Sequence, residues 1–116
     1  MRRNLFILAL LASAFAGCKT DPALPSEADA KQVWLNVNKQ AGLTSKIELV
    51  DLKKTDGQMA EANGVKVYTL FYEARRRYLI SMGHWKPGDI ETIKSNYGFQ
   101  KTDKGWQGPD GTIFTD

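Results

Sequence analysis

The run from Val65 to Ile80 constrains the fold more than any other stretch of this chain. Val65, Val67, Thr69 and Phe71 alternate with Lys66, Tyr68, Leu70, Tyr72 and Ala74. A period of two, filled by β-branched and aromatic residues, predicts a strand. Both parities are apolar near its middle, so the strand should be central and at least partly covered on both sides. Arg75-Arg76-Arg77 should interrupt the pattern before Tyr78-Leu79-Ile80 resumes it. Such a strand needs partners on either side and another layer on at least one face.

The covering layer is legible upstream. Ser26 is a good N-cap, and Glu27 and Asp29 put acids in the first turn, where the helix dipole favours them. Ala30, Val33, Trp34, Val37 and Ala41 recur at three- and four-residue spacing, and Gly42 is a natural stop. The spacing predicts a helix over 27–41, with Trp34 as its main core anchor. Between this helix and the long strand, Ile47 and Leu49 lie on one parity and Val50 and Leu52 on the other. That switch predicts a bulge or a two-sided strand. Thr55-Asp56-Gly57 is turn chemistry, Gln58–Asn63 a loop or brief helical turn, and Asn63-Gly64 a tight turn.

Downstream, residues 83–88 form a loop punctuated by Pro87-Gly88. Residues 90–101 form one strand or two. Turns at 102–105 and 109–111 flank Trp106, and a short final strand covers 112–114. The expected class is α+β: one amphipathic helix packed on an antiparallel β meander of four or five strands, preceded by an apolar signal helix.

That signal occupies residues 1–17. Arg2 and Arg3 give a charged start, Leu5–Ala16 is apolar apart from Ser13, and Gly17-Cys18 closes the run. These are the parts of a secretory leader, and the run is short for a membrane span. Phe15-Ala16-Gly17-Cys18 resembles the bacterial lipobox at three of four positions, with Phe where Leu is usual. The resemblance implies cleavage between Gly17 and Cys18 and a diacylglycerol on the Cys18 thiol. Residues 18–25 then read as a lipidated N-terminus and extended tether, with Pro22 and Pro25, and residues 26–116 as a single small domain. Lys19 in place of Asp favours the periplasmic face of the outer membrane in a Gram-negative host, by the sorting rules of such lipoproteins.

Losing the leader changes the charge argument. The whole chain carries 16 basic and 13 acidic residues, and removing Arg2 and Arg3 leaves a balance of +1. No basic excess remains to suggest a nucleic-acid partner. Cys18 is the only cysteine, so no internal disulfide is available and the domain must hold by packing.

Lys54-Thr55-Asp56-Gly57, Gly64-Val65-Lys66-Val67-Tyr68, Tyr72-Glu73-Ala74 and Phe99-Gln100-Lys101-Thr102 with Gly105-Trp106 together resemble a pattern in small uncharacterised bacterial lipoproteins. The resemblance spans about half the mature chain and implies no activity. The order of helix then meander is also similar to cystatin-like and NTF2-like folds, an analogy of architecture that does not carry function.

Chemistry-bearing patterns are sparse. His84 is the only histidine, and no His, Cys and carboxylate group has metal-ligand spacing. No nucleophile elbow, phosphate loop or cofactor motif is present. The expectation is therefore no catalytic, metal or cofactor site. One constellation stands out: Tyr68, Tyr72, Arg76 and Tyr78 share strand parity, with Trp85 in the next loop. An Arg flanked by tyrosines suits an anionic group, although tyrosines also simply fit strands and arginines protect sheet edges. The sequence thus points to a membrane-anchored, non-enzymatic envelope lipoprotein that binds an envelope protein or an anionic small ligand. The alternative is a small-ligand carrier or enzyme with a pocket between helix and sheet.

Overall fold

The computed structural model describes residues 23–115. One helix, α1 (Glu27–Gln40), precedes five strands: β1 (Ile47–Ala62), β2 (Val65–Tyr78), β3 (Ile90–Thr102), β4 (Gly105–Gln107) and β5 (Ile113–Phe114). The strands lie in the order β1-β2-β3-β4-β5, and every neighbouring pair is antiparallel. The fold is α+β: the sheet curls into a half-barrel and α1 packs on it. The leader, Gly17 and Cys18 lie outside the described residues.

Local chemistry sets the helix. Ser26 accepts a hydrogen bond from the Asp29 amide through its hydroxyl, and the Asp29 carboxylate accepts one from the Ser26 amide. This reciprocal pair satisfies two backbone donors at the helix start. The helix stops at Gln40, and Gly42 takes the left-handed conformation that ends it (φ +74). Ala30, Val33 and Trp34 are buried as expected. Val37 and Ala41 are exposed, so the apolar stripe is used only over the first two-thirds of the helix.

β1 is where the structure departs most from the expectation. It continues through Thr55-Asp56-Gly57 and through Gln58–Ala62 as one strand paired to β2 throughout. The turn and loop expected there do not form. The register shifts between Leu49 and Asp51 and again between Lys54 and Asp56. Each shift inserts an extra residue that bends the strand and increases its twist. The bulge at Val50 moves the buried side from Ile47 to Leu52, so the parity switch in the sequence was a bulge. Thr55-Asp56-Gly57 uses its turn-prone residues for the second bulge. Asn63 and Gly64, both at positive φ, make the tight two-residue turn into β2.

β2 is central. Tyr68, Leu70, Tyr72, Ala74 and Tyr78 are buried on its inner face, while the outer face is half-covered. The arginine run does not interrupt it, because each guanidinium meets a carboxylate on a flanking strand: Arg75 with Asp51, Arg76 with Glu91 and Arg77 with Glu48. The strand ends at Tyr78, and Leu79 and Ile80 are exposed. The core under the helix is filled by Val33, Trp34, Leu52, Leu70, Phe99 and Tyr72.

Helix and strands differ greatly in length. A helix of 14 residues is about 21 Å long, whereas a strand of 14 residues reaches about 46 Å. The Glu27 carboxylate accepts a hydrogen bond from the Lys54 amide (2.8 Å), which fixes the start of α1 over the middle of β1. The helix therefore covers the Ile47–Lys54 half of β1, and the hairpin end of the inner face has no helix above it.

Candidate functional site

Three groupings result from this arrangement. The first lies at the Tyr78 end of β2. Tyr78 stacks on Trp85 (ring centroids 5.0 Å, interplanar angle 7°), and His84 lies 4.7 Å from the Trp85 ring. The Tyr78 hydroxyl donates to Glu91 Oε1 (2.5 Å), while Arg76 donates to the same carboxylate (3.0 Å) and to the Tyr78 oxygen (3.1 Å). The hydrogen bond from Tyr78 holds the Glu91 carboxyl below its usual range against the opposing effect of burial, with help from Arg76. Burial and the Glu91 carboxylate push the Tyr78 hydroxyl up. Burial works against the Arg76 charge, but the contacts with Glu91 and Tyr78 together outweigh it and raise the guanidinium above its ordinary value. The Arg76 charge is thus met inside the fold by Glu91. Leu79, Ile80 and Ile90 are exposed at this same end.

Tyr72 and Tyr68 do not join that grouping. Tyr72 pairs with Tyr97 in mid-sheet (centroids 4.7 Å), where burial and the Tyr72 hydrogen bond raise the Tyr97 hydroxyl strongly. Tyr68 sits toward the hairpin, 6.2 Å from Trp106, with the Lys54 ammonium over its ring at 5.0 Å. Its hydroxyl occupies the space where a Cβ on Gly57 would lie, so Gly57 permits this packing.

The second grouping is a polar latch. Asn36 on α1 donates to Asp110 (2.8 Å) and Thr112 (3.3 Å), and Thr112 donates to Asp110 through both hydroxyl (2.9 Å) and amide (3.1 Å). These bonds tie the loop between β4 and β5 to the helix. Burial alone would raise the Asp110 carboxyl, but the bonds from Asn36 and Thr112 outweigh it and hold the group below its ordinary value. Sequence reasoning missed this latch. Asn36 on the edge of the apolar stripe, three residues beyond Val33, was its one local signal.

A carboxyl depressed in the folded state adds stability that is full above the unfolded carboxylate range and disappears as pH falls through the folded value. Asp110 and Glu91 both have this sign. The melting temperature should be flat near neutrality and fall below about pH 4. Asp110→Asn should cost about 1 kcal/mol at pH 7 and flatten the acid limb. Thermal melts of both proteins from pH 7 to 3 check this, and identical acid limbs would remove Asp110 from the account.

The third grouping is a groove of about 550 Å³ at the uncovered hairpin end. Leu24, Met59, Val65 and Trp106 supply apolar wall, and Glu61, Lys66 and Lys101 stand around it. Met59 is 49% exposed and Leu24 45%. The chain enters the domain here. Trp106 Nε1 donates to the Ala23 carbonyl (3.1 Å), Lys54 donates to that of Pro25 (3.3 Å), and Pro25 is buried. The last residues of the expected tether are therefore fastened to the domain.

Among the described residues no group of three His, Cys, Asp or Glu side chains is placed to hold a metal ion, and no helix is long and apolar enough to cross a membrane. No protein-family model, curated protein or solved structure matches this chain.

Proposed function

We propose that this chain is a lipid-anchored envelope lipoprotein whose domain is a non-enzymatic interaction module, anchored at one end and presenting the other. One observation carries the reading. The chain enters beside Trp106 at the hairpin end, while Leu79, Ile80 and Ile90, the last paired with Arg77, are exposed at the opposite end of β2. Exposed apolar side chains grouped together mark contact surfaces more often than scattered ones do. The buried cluster between helix and sheet takes in Tyr68 and Tyr72, which favours a surface-binding role over the pocket-based alternative.

Two measurements test this. Cys18→Ser should abolish fatty-acid labelling and release the protein from the membrane fraction. Retention in membranes without label would instead indicate an uncleaved apolar anchor. In intact cells, a photocrosslinking residue at position 90 should give one discrete adduct that Leu79→Asp with Ile80→Asp removes. Equal yields from positions 90 and 53, or no adduct at either, would overturn the presenting end.

A further inference from the structure

We infer that the groove at the hairpin end is a membrane-docking surface, seated on the phospholipid leaflet that holds the anchor. The inference rests on the lipid-anchor reading of Cys18 and adds an orientation to it. Three features converge on this end of the molecule.

The first is reach. Ala23 is fixed to Trp106 and lies only five residue steps along the chain from Cys18, with four residues between them. Five extended residues span at most about 18 Å. The headgroup layer on one side of a bilayer takes up about 5–7 Å of that distance. A tether of this length holds the hairpin end next to the membrane and keeps the Leu79–Ile80 end away, since up to about 36 Å of strand separates position 68, opposite Met59, from position 79.

The second is surface chemistry. Leu24 and Met59 project apolar atoms from this end, and Val65 and Trp106 continue the apolar wall behind them. An interfacial surface gains by placing such groups at the boundary between headgroups and acyl chains. Lys66 and Lys101 flank them, with stems long enough to lie along apolar surface while the ammonium groups meet phosphates. Glu61 faces Lys66 across the hairpin, so the charge contribution is modest and the apolar contact dominates.

The third is fold geometry. The helix ends its cover near Lys54, and the second half of β1 extends past it to the turn at Asn63-Gly64. Tyr68 and Trp106 are buried there, but Met59 and Leu24 keep about half of their surface in water, which is unfavourable. Seated on a bilayer, these exposed side chains are covered.

The lipid-consumed thiol of Cys18 makes the test simple. Met59→Cys, Glu61→Cys and Leu79→Cys are made singly in the full chain, lipidated in cells, labelled with an environment-sensitive thiol fluorophore and reconstituted. The vesicles contain phosphatidylethanolamine and phosphatidylglycerol with a spin-labelled phospholipid as quencher. Probes at 59 and 61 should be blue-shifted and quenched several-fold more strongly than the probe at 79. Using two groove positions guards against one variant that fails to fold. Lys66→Glu with Lys101→Glu should reduce quenching at 59 and leave position 79 unchanged.

Equal quenching at both ends, with the unsubstituted protein taking no label, would overturn the docking surface and leave the anchor intact. A blue-shifted but unquenched probe at 59 would place some other occupant in the groove and overturn it equally. Labelling of the unsubstituted protein at Cys18 would overturn the anchor, and the docking surface with it.

Discussion

Trp106→Ala should cost about 3–5 kcal/mol, the range for deleting a buried large aromatic side chain. Trp106 is 3% exposed on the three-residue strand β4, which β3 and β5 flank on either edge. Its ring lies against Tyr68 and under the Lys101 ammonium at 5.8 Å. Its indole N–H also meets the Ala23 carbonyl, so the substitution releases the incoming chain as well as opening a cavity. Domains of this size have net stabilities near the lower end of about 5–15 kcal/mol. Each kcal/mol is worth roughly 4–8 °C in melting temperature, so a fall of at least about 12 °C is expected. Trp106→Phe keeps most of the apolar contact and loses the hydrogen bond, and should cost less than half as much. Equilibrium urea denaturation of the three proteins checks the series. Equal losses for Phe and Ala would show that the Ala23 bond, not the ring packing, carries the effect.

Gly105→Ala is the second large effect, and it works through sterics alone. Gly105 has φ +145, and a Cβ there would lie 2.2 Å from the Phe114 carbonyl oxygen. The obstacle is backbone, so a side-chain rotation cannot relieve it. Either the β3–β4 turn strains or β5 leaves the sheet. The second route is resisted by the Asn36–Asp110–Thr112 latch and by the packing of Phe114 on Phe99 (5.9 Å). Backbone strain and overpacking are each worth about 1–3 kcal/mol, so a loss of about 2–6 kcal/mol is expected. Gly111→Ala is the matched comparison. Gly111 also has positive φ (+91) but open space around its Cβ direction, so it should lose only about 1–2 kcal/mol of conformational strain. Thermal melts with hydrogen exchange at Ile113 and Phe114 separate the two routes. A loss no greater than that of Gly111→Ala would remove the clash from the explanation.

The repeated Thr-Asp and Gly chemistry shows how far local signals reach. Thr102-Asp103-Lys104-Gly105 makes a turn, closed by Thr102 donating to the Gly105 carbonyl. Thr55-Asp56-Gly57 has nearly the same residues and sits inside a strand. Its neighbours decide the difference. The tight Asn63-Gly64 turn lies a few residues on, and the hairpin it starts pairs back through Gly57 to Leu70. Tyr68 then covers the bare Gly57, and a long-range contact replaces the turn that local propensity favoured. Arg75-Arg76-Arg77 follows the same rule. Three like charges in sequence look disruptive, but strand alternation and pairing set each beside a different carboxylate, on β1 or β3.

Some features were settled by the residues themselves. The helix with its Ser26 cap, the parity switch after Leu49, the Asn63-Gly64 turn, the central β2 strand and the α+β meander each follow from interactions within a few residues or from a period along one element. Such signals survive in any tertiary setting. Three others needed the assembled fold: which tyrosines meet, that Glu91 answers Arg76, and that one end of the inner face stays open. Each depends on register between strands far apart in sequence and on a helix about half as long as the strands it covers. No local pattern encodes that mismatch in length, because it exists only when the two elements lie side by side.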